Sequence, residues 1–218
     1  MSQPSGEQKN ARLTGGGNSP EGKTTAVFRF NPAIQRKVIF ELAAGAFIRK
    51  GTDVLLIGPP GVGKTHPAQA IGYEAIKMNF HVLYRSIFDL VRDFLKDEAF
   101  SQQERTVRKY LKPDLVIIDD MGLKSLPKHS AEYLLEVIMR RYENHSTIMT
   151  SNRPIEEWGR LLGDVPSASA ILDRFLHHAQ TIAITGRSYR LKDQPVLHKE
   201  EKKNKIKSNE NATAEPAS

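Results

Sequence analysis

The feature that most constrains this chain is the run Gly58-Pro59-Pro60-Gly61-Val62-Gly63-Lys64-Thr65. Its Gly-x-x-x-x-Gly-Lys-Thr spacing belongs where a strand ends, the backbone curls and a helix begins. Glycines let successive N–H groups point inward at phosphate oxygens, and the helix N-terminus adds unsatisfied donors and a positive dipole end. The flanking sequence supplies that context. Asp53-Val-Leu-Leu-Ile57 is a short apolar run of the buried-strand kind, and a helix-forming stretch follows to about Met78. All eight residues are therefore expected to bind ATP, with Lys64 reaching the β- and γ-phosphates and the Thr65 hydroxyl ligating Mg2+. Pro67 falls in the first helical turn, where its missing N–H has no intrahelical acceptor to lose, so the helix should survive it.

A second apolar run, Leu115-Val-Ile-Ile-Asp119-Asp120, ends in two carboxylates. A strand of this form places Asp119 opposite Thr65 to hold Mg2+, and Asp120 where it can polarise an attacking water. Between the loop and these carboxylates lie a predicted strand at 80–85 and two helices, whose starts read as capping boxes at Ser86-Ile-Phe-Asp89 and Ser101-Gln-Gln-Glu104. The two strands are then not sheet neighbours, which favours the additional-strand type of P-loop ATPase. A helix over about 32–50 precedes the first strand. Leu135, Ile138, Met139 and Tyr142 mark an apolar helical stripe. Strands at 146–151 and 181–185, a helix opened by Pro154 and a helix over about 168–179 complete an alternating pattern. Alternation of this kind implies an α/β fold, a P-loop three-layer domain with a central, mostly parallel sheet.

At 218 residues the chain holds one such domain. Residues 1–27 and 193–218 are polar, aperiodic and poor in apolar side chains, so disorder is expected at both ends of a domain spanning 28–192. The absence of cysteine excludes disulfides and Cys-based zinc sites, and no apolar run is long enough to cross a bilayer. A cytoplasmic location is the natural expectation. The net charge of +7 points to a polyanionic partner. His177 and His178 are adjacent, and side chains so placed on a helix diverge by about 100°. With no acidic neighbour in sequence, they read as packing or surface residues.

Several segments together carry a family resemblance: GPPGVGKTH at 58–66, IIDDMGL at 117–123, STIMTSNRP at 146–154 with Trp158, AILDRFLHH at 170–178 and GRSYRLK at 186–192. The chain resembles the IstB-like family, ATP-binding helpers of bacterial transposition within the AAA+ ATPases and akin to replicative helicase loaders. The resemblance implies that Asn152 is the sensor that orients the hydrolytic water, and that Arg174 is an arginine finger serving a neighbouring subunit's ATP. It also implies ATP-dependent homo-oligomers on duplex DNA and a partner transposase. Arg92, Arg105, Arg108, Lys109, Arg140 and Arg141 are the candidate DNA contacts.

Two departures from the family pattern stand out. Asp120 occupies a position where AAA+ enzymes usually carry Glu, and where the family usually has a folded N-terminal helical domain, residues 1–27 are expected to be disordered. A helicase-loader role and a truncated, non-hydrolysing scaffold switched by nucleotide are therefore the alternative readings.

Overall fold

The computed structural model describes residues 36–99, 103–123, 126–186 and 188. The expected N- and C-terminal disorder, the capping box at Ser101 and most of the 186–192 motif lie outside these residues.

Five strands form one fully parallel sheet: β1 (Asp53–Ile57), β2 (Val82–Ser86), β3 (Leu115–Met121), β4 (Ser146–Ser151) and β5 (Ala179–Ala183), in the spatial order β2-β3-β4-β1-β5. The helices are α1 (Arg36–Ala43), α2 (Ala46–Arg49), α3 (Thr65–Lys77), α4 (Ile87–Ala99), α5 (Gln103–Leu111), α6 (Ser130–Arg141), α7 (Trp158–Leu162) and α8 (Val165–His177), with a 3-10 turn at Ile155–Glu157 before α7. As expected from the intervening elements, β1 and β3 are not neighbours; β4 lies between them.

Strand alternation sorts the core into two layers. Leu55, Val116, Ile118 and Met149 face α4 to α8, where they meet Phe94, Tyr110, Leu134, Val137, Trp158 and Phe175. Val54, Leu56, Leu115, Ile117 and Ile148 face α1 to α3 and pack on Ile39, Leu42, Phe47, Ala68 and Ile71. Helices on both faces are what a buried parallel sheet requires.

Local chemistry sets the element ends. Ser86 Oγ accepts the Asp89 N–H at 3.1 Å and opens α4 as its cap. Asp164 does the same for α8 through the Ser167 N–H at 3.2 Å. Pro67 sits buried in the first turn of α3, which continues unbroken to Lys77.

Two sequence expectations are corrected. The single helix over 32–50 is two helices, because Gly45 adopts φ 74° and turns the chain between Ala43 and Ala46. The stripe on α6 is centred on Leu134, Val137, Ile138 and Arg141, while Met139 is exposed. Leu134 and Val137 widen the apolar arc, and the sheet takes the part of it that faces β3 and β4.

Candidate functional site

Three parallel strands in the middle of the sheet end side by side, and each delivers one part of the site. β1 runs into the phosphate loop, β4 into Asn152, and β3 carries Asp119 and Asp120. Backbone hydrogen bonds lock the three ends together: Gly58 N–H donates to Ser151 O at 3.1 Å and Asn152 N–H to Met121 O at 2.8 Å. Ligands of open α/β sheets bind at this carboxyl end of the strands.

Gly58 must be glycine for a packing reason. A Cβ there would stand 2.0 Å from the carbonyl oxygen of Ile184, just past β5. The loop therefore leaves β1 pressed against the neighbouring chain before it opens toward α3.

Lys64 is 5% exposed, although lysine is seldom buried unpaired. Its ammonium donates to Gly58 O and Pro59 O at 2.8 Å each and to Asn152 Oδ1 at 2.5 Å. The amine is thus held by the loop's own carbonyls and by the end of β4, the strand beside β1 in the sheet. Asn152 stands beside the loop.

Asp119 is buried and saturated by hydroxyls. Its Oδ1 accepts from Thr65 at 3.2 Å and from Thr150, and its Oδ2 accepts from Tyr84 at 2.5 Å. Burial, then the adjacent Asp119 carboxylate, push the Tyr84 hydroxyl above its ordinary pKa, so it stays a donor. A carboxylate facing a threonine hydroxyl is a hard oxygen donor set, which suits Mg2+ with most of its water retained.

Tyr84 and Thr150 were not singled out from sequence. Parallel pairing of β2 with β3 puts Ser86 opposite Asp119, and Tyr84 lies two residues earlier on β2. Thr150 lies one residue before the last position of β4, which Met121 faces. Only the register brings these hydroxyls to one carboxylate.

Asp120 has φ 67° and sits in an irregularity where three steps along β3, from Ile118 to Met121, match two along β4, from Met149 to Ser151. The extra residue breaks strand alternation. Asp120 lies near enough to Tyr84 for its charge to add a little to the rise in that hydroxyl's pKa. Its backbone N–H is tied to Thr150 Oγ1 at 3.1 Å.

Arg174 is not at this site. It belongs to the last turn of α8, which leads into the start of β5, and its guanidinium lies 5.5 Å above the Tyr142 ring, just before β4 begins. Lys64, Asp119 and Asn152 are at the other end of the strands, about 13 Å away along a five-residue strand. The Arg174 side chain is 46% exposed.

Among the candidate DNA contacts, Arg141 is corrected. It is 1% exposed, and its guanidinium donates to Tyr110 O, Pro113 O, Asp114 O, Ser146 O and Thr147 Oγ1 at 2.6–3.4 Å. It ties α6 to the loop before β3 and to the start of β4, so it cannot meet a polyanion. Burial lowers its pKa to about 10, still cationic at neutral pH. Nearby Asp53 accepts the Thr147 N–H at 2.6 Å, and burial pushes its carboxyl up to about 7.

The other basic candidates are on the surface. Arg105, Arg108 and Lys109 line a groove of about 790 Å³ with Lys96 and Lys112, against Asp93 and Glu104. Arg92 pairs with Asp89 and Arg140 with Glu136 along their helices. His177 and His178 are exposed, as surface residues should be, but Glu143 lies 3.3 Å from His178 Nε2. The acidic partner comes from a segment some 35 residues earlier in the chain. Among the described residues, no helix is long and apolar enough to cross a membrane.

Comparison with known proteins places this geometry. The profile of the family described as IstB-like ATP binding protein matches residues 17–196. A protein named for ATP binding in insertion sequence IS5376 of Geobacillus stearothermophilus is 39% identical over 185 residues, which are 84% of this chain and 74% of that protein. Its counterpart in IS21 of Pseudomonas aeruginosa is 40% identical over 167 residues, covering 77% of this chain and 63% of the relative. Among solved structures, the DnaC helicase loader superposes with a TM-score of 0.61 at 21% identity, covering 71% of this chain and 92% of its own. The replication initiator DnaA, solved with AMPPCP and single-stranded DNA, gives 0.62 at 19% identity over 89% of this chain and 64% of its own. At these identities the two structures share the fold. By sequence and by architecture, this chain belongs to the IstB-like ATP-binding proteins and has the AAA+ type of P-loop fold.

Proposed function

We propose that this chain hydrolyses ATP as a Mg2+-dependent AAA+ ATPase, and that it does so in homo-oligomers on duplex DNA that assist a transposase. The observation that carries the reading is the meeting of Lys64, Thr65, Asp119 and Asn152 at three adjacent strand ends, with Arg174 exposed at the far end of the same sheet. A site built this way binds phosphates with its own loop, and Arg174 stands outside it.

Each residue has a distinct task under this reading. Lys64 trades its contacts to Gly58 O, Pro59 O and Asn152 for phosphate oxygens. Asp119 and Thr65 are the oxygen donors for Mg2+, which when bound offsets charge on the β- and γ-phosphates. Tyr84 and Thr150 keep the Asp119 carboxylate aimed through their hydroxyl donors. Asp120 and Asn152 flank the position from which water attacks. Arg174 reaches a neighbouring subunit's γ-phosphate, which makes turnover depend on assembly. The insertion-sequence relatives support a role in transposition, and the Arg105, Arg108 and Lys109 groove with the +7 net charge supports a DNA partner.

A multiple-turnover ATPase assay with and without duplex DNA tests this directly. Turnover that rises with protein concentration and with DNA is the expected result. Tight ATP binding with no turnover under either condition would instead establish the nucleotide-switched scaffold, a reading favoured by the shorter Asp120 and its left-handed backbone.

A further inference from the structure

Away from the nucleotide site, the turn between α6 and β4 and the end of α8 bring three metal-ligating side chains together. His177 Nδ1 lies 3.0 Å from His178 Nε2, and His178 Nε2 lies 3.3 Å from Glu143 Oε1. All three atoms fall within 4.8 Å of one another. On a continuing helix the two imidazoles would point apart, but α8 stops at His177. His178 takes φ −122° and ψ 13°, and the rings meet edge to face with centroids 4.2 Å apart. Glu143 arrives from the other segment with φ 60°, a turn that non-glycine residues adopt uncommonly.

The spacing matches ligands around one small cation. With metal–nitrogen bonds of about 2.0–2.1 Å, adjacent ligand atoms of a tetrahedron stand roughly 3.3 Å apart. Two of the three edges are already within a few tenths of that value, and exposed side chains can close the third by rotation. The facing ring nitrogens cannot both direct lone pairs at each other without repulsion. A proton or a metal must sit between them, and a metal uses both pairs.

We propose that Glu143, His177 and His178 form a surface site for a borderline transition-metal cation of the Zn2+ type, joining the α6–β4 turn to the end of α8. Two imidazoles and one carboxylate suit Zn2+ and do not suit Mg2+, which demands oxygen ligands. The fourth position falls to water or to the Tyr142 hydroxyl, 2.8 Å from His177 Nδ1. Arg174 over the Tyr142 ring is a nearby positive charge that tempers affinity. This site shares no residue with the phosphate loop, so it stands whether or not the chain hydrolyses ATP.

The test is calorimetric titration of the full chain, without added histidines, with ZnCl2, alongside Co2+ absorption spectra. One Zn2+ per chain is expected, with a raised melting temperature and the intense visible bands of low-coordinate Co2+. The paired substitutions Glu143→Gln and His178→Ala should weaken binding at least tenfold and abolish the thermal shift while circular dichroism stays unchanged. His129→Ala, at a separate histidine–carboxylate pair, should alter neither. Equal affinity in wild type and the paired variant, or a faint octahedral Co2+ spectrum in wild type, overturns the proposal. If the paired variant fails to fold, His177→Ala serves in its place and is read the same way.

Discussion

Lys64 Nζ donates to Asn152 Oδ1 across 2.5 Å, so the phosphate loop after β1 and the turn after β4 share one hydrogen bond. Because the same amine also holds Gly58 O and Pro59 O, its removal should loosen the loop and spare the core. Lys64→Ala is expected to abolish productive ATP binding while far-ultraviolet circular dichroism and melting stay near wild type. Asn152→Ala should differ: Lys64 keeps its loop contacts and ATP still binds, but kcat falls by about 10²–10³, the usual loss for one oriented polar group in a preorganised site. Wild-type ATP affinity in a folded Lys64→Ala protein would contradict the loop's assignment.

The position of Arg174 at the far end of the strands makes a stronger demand. Arg174→Ala should retain ATP affinity and lose hydrolysis by on the order of 10³–10⁵, the range for arginine fingers. Wild-type turnover should also depend on protein concentration. Mixing Arg174→Ala with Lys64→Ala should restore measurable activity, since one chain offers an intact site and the other an intact finger, provided the Lys64 variant assembles. Turnover by Arg174→Ala alone at the wild-type rate would make the residue an ordinary surface charge.

Duplex DNA binding should be tolerant of sequence and fall steeply with salt, as expected when lysine and arginine displace condensed counterions. Arg105→Ala and Arg108→Ala, both on the groove between α4 and α5, should each reduce the salt slope by about one unit. An affinity that is unchanged between low and moderate salt counts against phosphate tracking.

Arg141 gives the opposite signature from those residues. Arg141→Met leaves the carbonyls of Tyr110, Pro113 and Ser146 without their donor in the interior. A loss of about 3–5 kcal/mol of stability is expected, read from the urea midpoint. A stable variant with selectively weakened DNA binding would mean that the side chain leaves its pocket.

Asp53 makes stability depend on pH. Its folded-state pKa, raised to about 7, lies above the ordinary carboxylate value of an unfolded chain. The folded protein therefore holds a proton that the unfolded chain releases, and the contribution of Asp53 to stability is greatest below about pH 4 and declines as pH rises from about 4 to 7. The decline should be on the order of a few kcal/mol at most, and Asp53→Asn, which can still accept the Thr147 N–H, should flatten it. Urea unfolding at pH 5 and pH 8 measures both, and a wild type more stable at pH 8 would reverse the assignment.

The parts of the molecule legible in sequence were those fixed by local pattern. The loop's glycines, the apolar strand runs and the order of elements led to a parallel sheet in which β1 and β3 are not neighbours; that β4 is the strand between them came from the structure. What could not be read depended on partners distant in sequence. Nothing around Arg141 announces that five acceptors from a helix end, a loop and a strand will enclose it. The hydroxyls of Tyr84 and Thr150 reach Asp119 through strand register, and Glu143 reaches His178 through two turns that happen to end together. On α6 the apolar arc was too wide for periodicity alone to choose its centre.

The extra residue in β3 sets a conflict between backbone and reach at position 120. A left-handed φ of 67° is tolerated by glycine, asparagine and aspartate and resisted by longer or branched side chains. Asp120→Asn can keep the local chain path and remove only the charge, so it reports on chemistry. Asp120→Glu would extend the carboxylate toward a water by one methylene while straining the turn that carries it. Lengthening the acid here is therefore a change to the shape of the strand as well as to its tip, and a faster enzyme obtained that way would first have to re-fold its own hinge of three residues, from Asp119 to Met121.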